Sequence, residues 1–188
     1  LRLTGMPEST LSDLKPDDLS AKWSVWRDRL EQILASDGKV LIFSQFVSFL
    51  RLLRENLDTL NINYCYLDGS TLNRQAEVDR FQKEPERRVF LISLKAGGYG
   101  LNLTAADHVF LMDPWWNPAV ESQAIDRAHR MGQTRVVNAY RFATRGTVEE
   151  RILKLQEKKR GLVEAALTED GAWAEGVADE ELAELLGV

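Results

Sequence analysis

The sequence contains one cysteine, Cys65, in 188 residues, so it has no internal disulfide and no cysteine-based zinc site. No stretch of about 18 apolar residues occurs, which excludes a membrane-spanning helix. The start, Leu1-Arg2-Leu3-Thr4, lacks both a signal-peptide core and an initiator methionine, and it reads as the entry into a piece of a longer protein. There is no G-K-S/T phosphate loop and no D-E-x-H segment, so the residues that hold a triphosphate and its magnesium in many ATPases are missing. No internal repeat is visible. A basic excess is also lacking: the formal charge is −5, which argues against a surface that grips nucleic acid all round.

Charge is unevenly spread. Basic side chains outnumber acidic ones between Gln123 and Arg160, whereas every charged residue after it is acidic, from Glu164 to Glu184. The acidic block cancels the basic stretch in the total without touching its local field, so DNA binding on one face is allowed. At this length one domain with a sizeable core is expected.

Hydropathy patterning alternates short apolar runs with amphipathic stretches. Residues 1–19 read as a connector. Ser20 then caps a helix carrying Trp23, Trp26, Leu30, Ile33 and Leu34, which closes near Gly38. Val40–Phe43 is continuously apolar, the mark of a strand covered on both faces. Tyr64–Leu67, Arg88–Ser93, Val109–Met112 and Val136–Phe142 follow as further strands. Between them lie a helix with Phe49, Leu50, Leu53 and Leu57 and another over 72–82. Thr147-Val148-Glu149-Glu150 forms a capping box that opens a long helix to about Leu167. This is an α/β chain with a mostly parallel sheet.

The densest chemistry lies in Asp113–Arg135, D-P-W-W-N-P-A-V-E-S-Q-A-I-D-R-A-H-R-M-G-Q-T-R. Asn117 followed by Pro118 is a helix start. Continued helix beyond it would place Gln123, Asp126, Arg127 and Arg130 on one face. Two guanidiniums one turn apart can converge on a polyanion, which their planar forks bind bidentately. Spacing alone equally admits a solvated face with an Asp126–Arg130 pair. His129 falls near a different face and reads as a structural hydrogen-bonder. The glycine-rich S-L-K-A-G-G-Y-G-L-N-L of 93–103 lets backbone amides approach a phosphate, though a plain turn fits it as well. Ser44-Gln45, Asp68-Gly69-Ser70, Ser93–Gly100 and Asp113–Trp116 each follow a strand, and ligands of open α/β sheets gather at such carboxyl ends.

In combination, Q-A-I-D-R-A-H-R-M-G-Q and D-P-W-W-N-P resemble the last helicase motif and the D-x-x-W-N-P element of the Swi/Snf-type ATPases, chromatin remodellers and double-stranded-DNA translocases of helicase superfamily two. V-L-I-F-S-Q-F and Y-L-D-G-S-T resemble the family's fourth-motif region, and the glycine-rich segment its fifth. The resemblance runs from about Ser20 to Leu167. It implies a second RecA-like lobe over 20–146, a three-layer domain with a mostly parallel central sheet. A brace-like helix over 147–168 and an acidic tail over 169–188 would follow.

By resemblance, Arg127 and Arg130 are arginine fingers, and Gln123 positions nucleotide or water. Gly98, Gly100, Asn102 and Asp126 link to the nucleotide cleft. Ser44, Gln45, Gly69, Ser70, Arg74, Ser93 and Lys95 would touch phosphates of a DNA strand. Trp116 would contact DNA or pack under its loop, and Trp115 would pack. ATP and Mg2+ would be held mainly by a first lobe absent from this chain, so the isolated chain is expected to be inactive. Double-stranded DNA and that lobe are the expected partners, with no membrane and no oligomer. The acidic ending resembles prokaryotic members, which implies a cytoplasmic, nucleoid-associated protein, or a nuclear one if the source is eukaryotic. Two other readings stay open: an RNA helicase lobe, and a non-catalytic α/β interaction module.

Overall fold

A computed structural model describes residues 21–96 and 101–168, the last ten of them in backbone only. The elements are α1 Ala21–Ala35, β1 Val40–Ser44, α2 Val47–Thr59, β2 Tyr64–Leu67 and α3 Arg74–Lys83, then β3 Val89–Ser93, β4 His108–Leu111, α4 Pro118–Ile125, β5 Asn138–Arg141 and α5 Val148–Thr168. The five strands form one sheet in the order β2-β3-β1-β4-β5. Every pairing is parallel; β1 lies centrally, with Ile42 between Leu91 of β3 and Phe110 of β4.

Alternation along the strands divides the core in two, because successive side chains leave opposite faces. Leu41, Phe43, Phe90, Ile92, Val109 and Leu111 face one way, against Val78 and Phe81 of α3 and Ala124 of α4. Val40, Ile42, Val89, Leu91 and Phe110 face the other way. There they meet Trp23, Trp26, Leu30 and Ile33 of α1 and Leu50, Leu53 and Leu57 of α2. The result is the expected three-layer α/β sandwich. Trp23 and Trp26 pack together, ring centroids 5.1 Å apart.

Both α1 and α2 end through a left-handed residue, Asp37 (φ 61°) and Asn61 (φ 55°). The next N–H then returns to the helix, from Gly38 to the Ile33 carbonyl and from Ile62 to that of Leu57, each at 2.9 Å. Gly38 serves close approach: a Cβ there would sit 2.7 Å from Ile33 Cγ2. Three element boundaries depart from the sequence pattern. Helix α3 starts at Arg74, because the Asn73 side chain caps it by accepting from the Ala76 N–H at 3.0 Å. Strand β5 covers only Asn138–Arg141, as it is an edge strand with little buried surface. Helix α4 stops at Ile125, well before Arg130. At α5 the capping box is displaced by one residue: Glu150 accepts from the Gly146 N–H at 2.8 Å, and Thr147 Oγ1 accepts from the Glu149 N–H at 3.3 Å.

Candidate functional site

Parallel strands bring the ends of β1, β2, β3 and β4 to one edge, and Asp113 ties two of those ends together. Its carboxylate accepts from Ser44 Oγ at 2.6 Å and from the Gln45 N–H at 2.8 Å. Burial raises its pKa, against the opposing effect of those two donors. Ser44 Oγ in turn accepts from the Phe46 N–H at 3.0 Å. Ser44 is fully buried and Ser93 nearly so. The Ser44 hydroxyl, engaged by Asp113 and the Phe46 N–H, supports the edge.

Helix α2 begins just beyond, at Val47, and its N-cap Phe46 offers no side-chain cap. Its first N–H groups therefore point outward without that partner, a favourable setting for an anion. Gly69 and Ser70 are exposed after β2, two strands away across β3. The Asp68 carboxylate accepts from the Ser70 N–H (2.8 Å) and Ser70 Oγ (2.6 Å). Burial pushes the Asp68 pKa up, but these bonds and one from Tyr66 outweigh it, and the net shift is downward. Arg74 is exposed at the head of α3 and reaches the Ala96 carbonyl at 3.3 Å. Lys95 is exposed, Gln45 partly so, and Trp116 is 47% exposed while Trp115 packs against the core. Gly98 and Gly100 lie outside the described residues. The exposed Asn102 contributes its carbonyl, which accepts from Gln82 Nε2 at 2.7 Å.

The early end of α4 breaks the shared helical face. Asp126 is its C-cap, and Arg127 and Arg130 stand in the turns that follow. They still do not part ways with the edge. Arg127 is 6% exposed, its guanidinium lies 5.7 Å above the Phe43 ring, and its Nη1 is buried with no hydrogen-bond partner. Burial and the nearby Arg130 charge both lower its pKa. With Gln123, Lys95, Leu94, Trp115 and Val120, Arg127 lines a cavity of about 220 Å3. A buried guanidinium with a spare donor suits a multiply charged oxyanion. Arg130, Gln123, Asp126 and His129 are exposed. The structural hydrogen-bonding role expected for the His129 ring has no counterpart among the described residues, where its backbone N–H alone bonds, to Ile125.

Four supports were invisible in the residue pattern. Glu121, fully buried, accepts from the Trp115 N–H (2.9 Å), Gln156 Nε2 (2.8 Å) and Arg141 Nε (2.7 Å). Gln156 also donates to the Trp115 carbonyl, so α5 is fastened to the loop before α4. Lys22 joins α1 to the same region, donating to the Met112 carbonyl (3.0 Å) and to both oxygens of Glu149 (2.6 Å each). Gln133 closes the turn after Arg130. The one sequence signal for Glu121 was its first-turn place on α4, which suggests a dipole partner on the surface.

A parallel three-layer lobe with its motifs gathered at the carboxyl edge defines the class, and the comparisons supply the family. The model of the helicase conserved C-terminal domain matches residues 26–132. The DNA repair protein RAD5A of Arabidopsis thaliana is 45% identical over 152 residues, 80% of this chain and 15% of that protein. The chromatin-remodeling ATPase INO80 of Aspergillus terreus is 46% identical over 160 residues, 84% of this chain and 9% of that one. Among solved structures, the C-terminal part of the Fun30 ATPase domain superposes with a TM-score of 0.71 at 39% identity, covering 78% of this chain and 48% of that one. The Sulfolobus solfataricus SWI2/SNF2 ATPase core in complex with dsDNA gives 0.68 at 31% identity, covering 95% and 38%. The chain belongs to the helicase C-terminal domain family and is the C-terminal RecA-like lobe of the Swi2/Snf2 type. It spans under a sixth of the length of these curated relatives. Those relatives come from a plant and a fungus and lend no support to a prokaryotic source or a cytoplasmic, nucleoid-associated location.

Proposed function

We propose that this chain is the second lobe of an ATP-dependent double-stranded-DNA translocase. Arg127 and Arg130 act as its arginine fingers, and Gln123 positions nucleotide or attacking water. The observation that carries the reading is the Arg127 guanidinium, buried at the ligand-bearing edge with Nη1 unpartnered beside a cavity. A structural arginine at that depth normally has a carboxylate or carbonyl on each donor.

The fit to the expected cofactor divides between its parts. The unpaired Arg127 donor and Gln123 suit the anionic end of ATP, with Asp126 next to Arg127 in the chain and Asn102 adjoining Leu103, whose N–H bonds the Arg127 carbonyl. For Mg2+, no group of three or more His, Cys, Asp or Glu among the described residues is placed to hold a metal ion. The ion and most of the triphosphate belong to the first lobe in this reading, and the isolated chain turns over no ATP. Bound ATP supplies the γ-phosphoryl group; this chain supplies positive charge where negative charge spreads, and a surface that closes on the first lobe.

DNA follows the other motifs of the edge. The uncapped start of α2, Gln45, Gly69, Ser70, Arg74 and Lys95 take backbone phosphates, with Trp116 at the border. Such contacts are independent of sequence and weaken with salt. The division also stands as part of this reading: a connector over 1–19, the lobe over 20–146, a brace-like helix over 147–168 and an acidic tail beyond it. A nuclear location accompanies it.

The test is Arg127→Ala in the two-lobe protein. ATP turnover stimulated by duplex DNA is expected to fall about 10³-fold or more, with DNA affinity retained. Turnover that survives the substitution would overturn the finger assignment and favour a non-catalytic module. Stimulation by RNA in place of duplex DNA would point to an RNA helicase lobe.

A further inference from the structure

Two arginines of α2, Arg51 and Arg54, belong to none of the motif strings and to no role assigned so far. They fall between V-L-I-F-S-Q-F and Y-L-D-G-S-T, three positions apart, and so share one face of the helix. Arg51 is exposed and Arg54 partly so. Helix α2 starts after β1, yet these side chains reach across to β2 at the border of the sheet. The Arg54 guanidinium lies 5.4 Å from the centre of the Tyr66 ring. Burial and the bond to Asp68 raise the Tyr66 pKa, and the charges of Arg51 and Arg54 act against that rise. At Asp68 the Arg51 charge adds to the Ser70 and Tyr66 bonds that outweigh burial. Both cations therefore flank the turn that carries Gly69 and Ser70.

The fold does not neutralise them. Each has a carboxylate four residues on, Glu55 for Arg51 and Asp58 for Arg54, but a cation placed first is the weaker order for such a pair. Asp58 accepts instead from Tyr64 Oη at 2.9 Å. The Asp68 carboxylate is occupied by the Ser70 N–H, Ser70 Oγ and Tyr66 Oη. Among the described residues neither arginine makes a hydrogen bond or a salt bridge. Other arginines of the lobe are paired: Arg80 with Glu77, Arg88 with Asp37 and Arg135 with Asp107. Guanidiniums left open on the surface suit phosphate oxygens, which their planar forks meet bidentately.

We propose that Arg51 and Arg54 extend the DNA contact from the carboxyl edge along the flank of α2, taking backbone phosphates of the strand that meets Ser70. The proposal rests on the proposed function above. Side chains three apart on a helix stand about 5–6 Å from each other at Cβ, so the two guanidiniums can serve successive phosphates of one strand. Such a contact reads no base. It acts on the affinity and the salt response of DNA binding, away from the chemistry at Arg127.

The experiment measures duplex-DNA affinity of the two-lobe protein over a salt series, with and without the double substitution Arg51→Gln and Arg54→Gln. Loss of two phosphate contacts should make the slope of log K against log salt shallower by about 1.8 and weaken binding on the order of tenfold at about 0.1 M salt. The duplex concentration for half-maximal ATP turnover should rise by the same factor. Arg51→Lys with Arg54→Lys keeps both charges and should restore most of the slope. Arg88→Gln, which removes a paired cation at the amino edge, controls for net charge. An unchanged slope in the folded double variant overturns the proposal, as does an equal change in Arg88→Gln. Thermal unfolding reports the folded fraction. If loss of Arg54 from Tyr66 unfolds the protein, Arg51→Gln alone is read by the same criterion, with an expected change of about 0.9. A two-lobe protein that binds no duplex DNA refutes the underlying function, whereas duplex binding with its full salt slope in the double variant refutes the α2 contact alone.

Discussion

At the amino edge of the sheet, charges are matched to close partners. Lys39 gives its ammonium to the Phe81 and Glu84 carbonyls, the latter at 3.0 Å, and Arg88 pairs with Asp37 at 3.0 Å. Asp107 accepts from the Lys39 N–H (2.9 Å) and Arg135 (3.0 Å) and bonds the His108 ring (2.8 Å). At the carboxyl edge the carboxylates instead hold loops in place, and Arg127 keeps a buried donor unused. A cavity of about 330 Å3 at the amino edge, lined by Lys39, Arg88, Gln133 and Arg135, is larger than the one beside Arg127. Size does not identify the site. An edge whose charges satisfy one another is built for stability, while the unsatisfied buried cation is what the proposed nucleotide contact would complete.

The sharpest way to break the comparison is a matched pair of arginines. Arg127→Ala is expected to lower ATP turnover about 10³-fold, whereas Arg135→Ala at the other edge should leave it within about twofold. Arg135 is 62% exposed in its ion pair with Asp107, so its loss should cost about 1 kcal/mol of stability or less. Equal effects on turnover would erase the distinction between the edges.

Next in size is Arg141→Leu, which removes the cation from the wholly buried Glu121 carboxylate. About 2–3 kcal/mol of stability should be lost, read by denaturant unfolding, because Glu121 keeps only the Trp115 and Gln156 donors. A loss below about 0.5 kcal/mol would show that water reaches Glu121 after all.

Smaller effects come from pH, with opposite signs at Asp107 and Asp113. Burial raises the Asp107 pKa, but His108, the Lys39 N–H and Arg135 outweigh it, and the result lies below 3.8. The folded state thus binds its proton less readily than the unfolded chain, and the stabilisation, present above pH 3.8, is lost as pH falls toward the folded pKa. Asp113 is raised by burial, so in the window just above 3.8 the folded state holds the proton that the unfolded chain has released. There stability falls as pH rises. Asp107→Asn should flatten the acid limb of the stability profile, and Asp113→Asn should steepen it. Changes of slope in the same direction for the two variants would contradict the contrast.

The smallest expected effect concerns Cys65, central in β2 and fully buried. Burial foremost, with Glu77 adding to it, pushes the thiol pKa up to about 12. Thiol reagents at neutral pH should label it only as fast as the protein opens, and prompt labelling would show that β2 is not covered as described.

Much of this was legible before any coordinates. Val40–Phe43 is apolar at every position because both faces of β1 are covered, and that run alone implied a parallel sheet between helices. Asn117-Pro118 announced α4, and the Asn117 side chain does accept from the Ala119 N–H at 3.0 Å. The motif strings gave the family, since they are long composite patterns whose order along the chain matches the order of the strand ends.

What could not be read depends on partners far apart in the sequence. Ser44 faces Asp113, 69 positions away, and a hydroxyl at a strand end looks the same whether it turns inward or toward DNA. The spacing of Arg127 and Arg130 implied one helix face, but the Leu103 N–H and the Gln133 carboxamide draw that stretch into turns. Glu121 carries no mark of burial in the residue pattern, and its enclosure comes from Trp115, Arg141 and Gln156. Local pattern and turn chemistry determined the elements, the parallel class and the motif family, because those follow from periodicity and from backbone preferences carried by each residue. Strand order, the inward or outward sense of each polar group and the unpaired donor of Arg127 were decided only by tertiary structure, where hydrogen bonds form between groups the chain itself keeps apart.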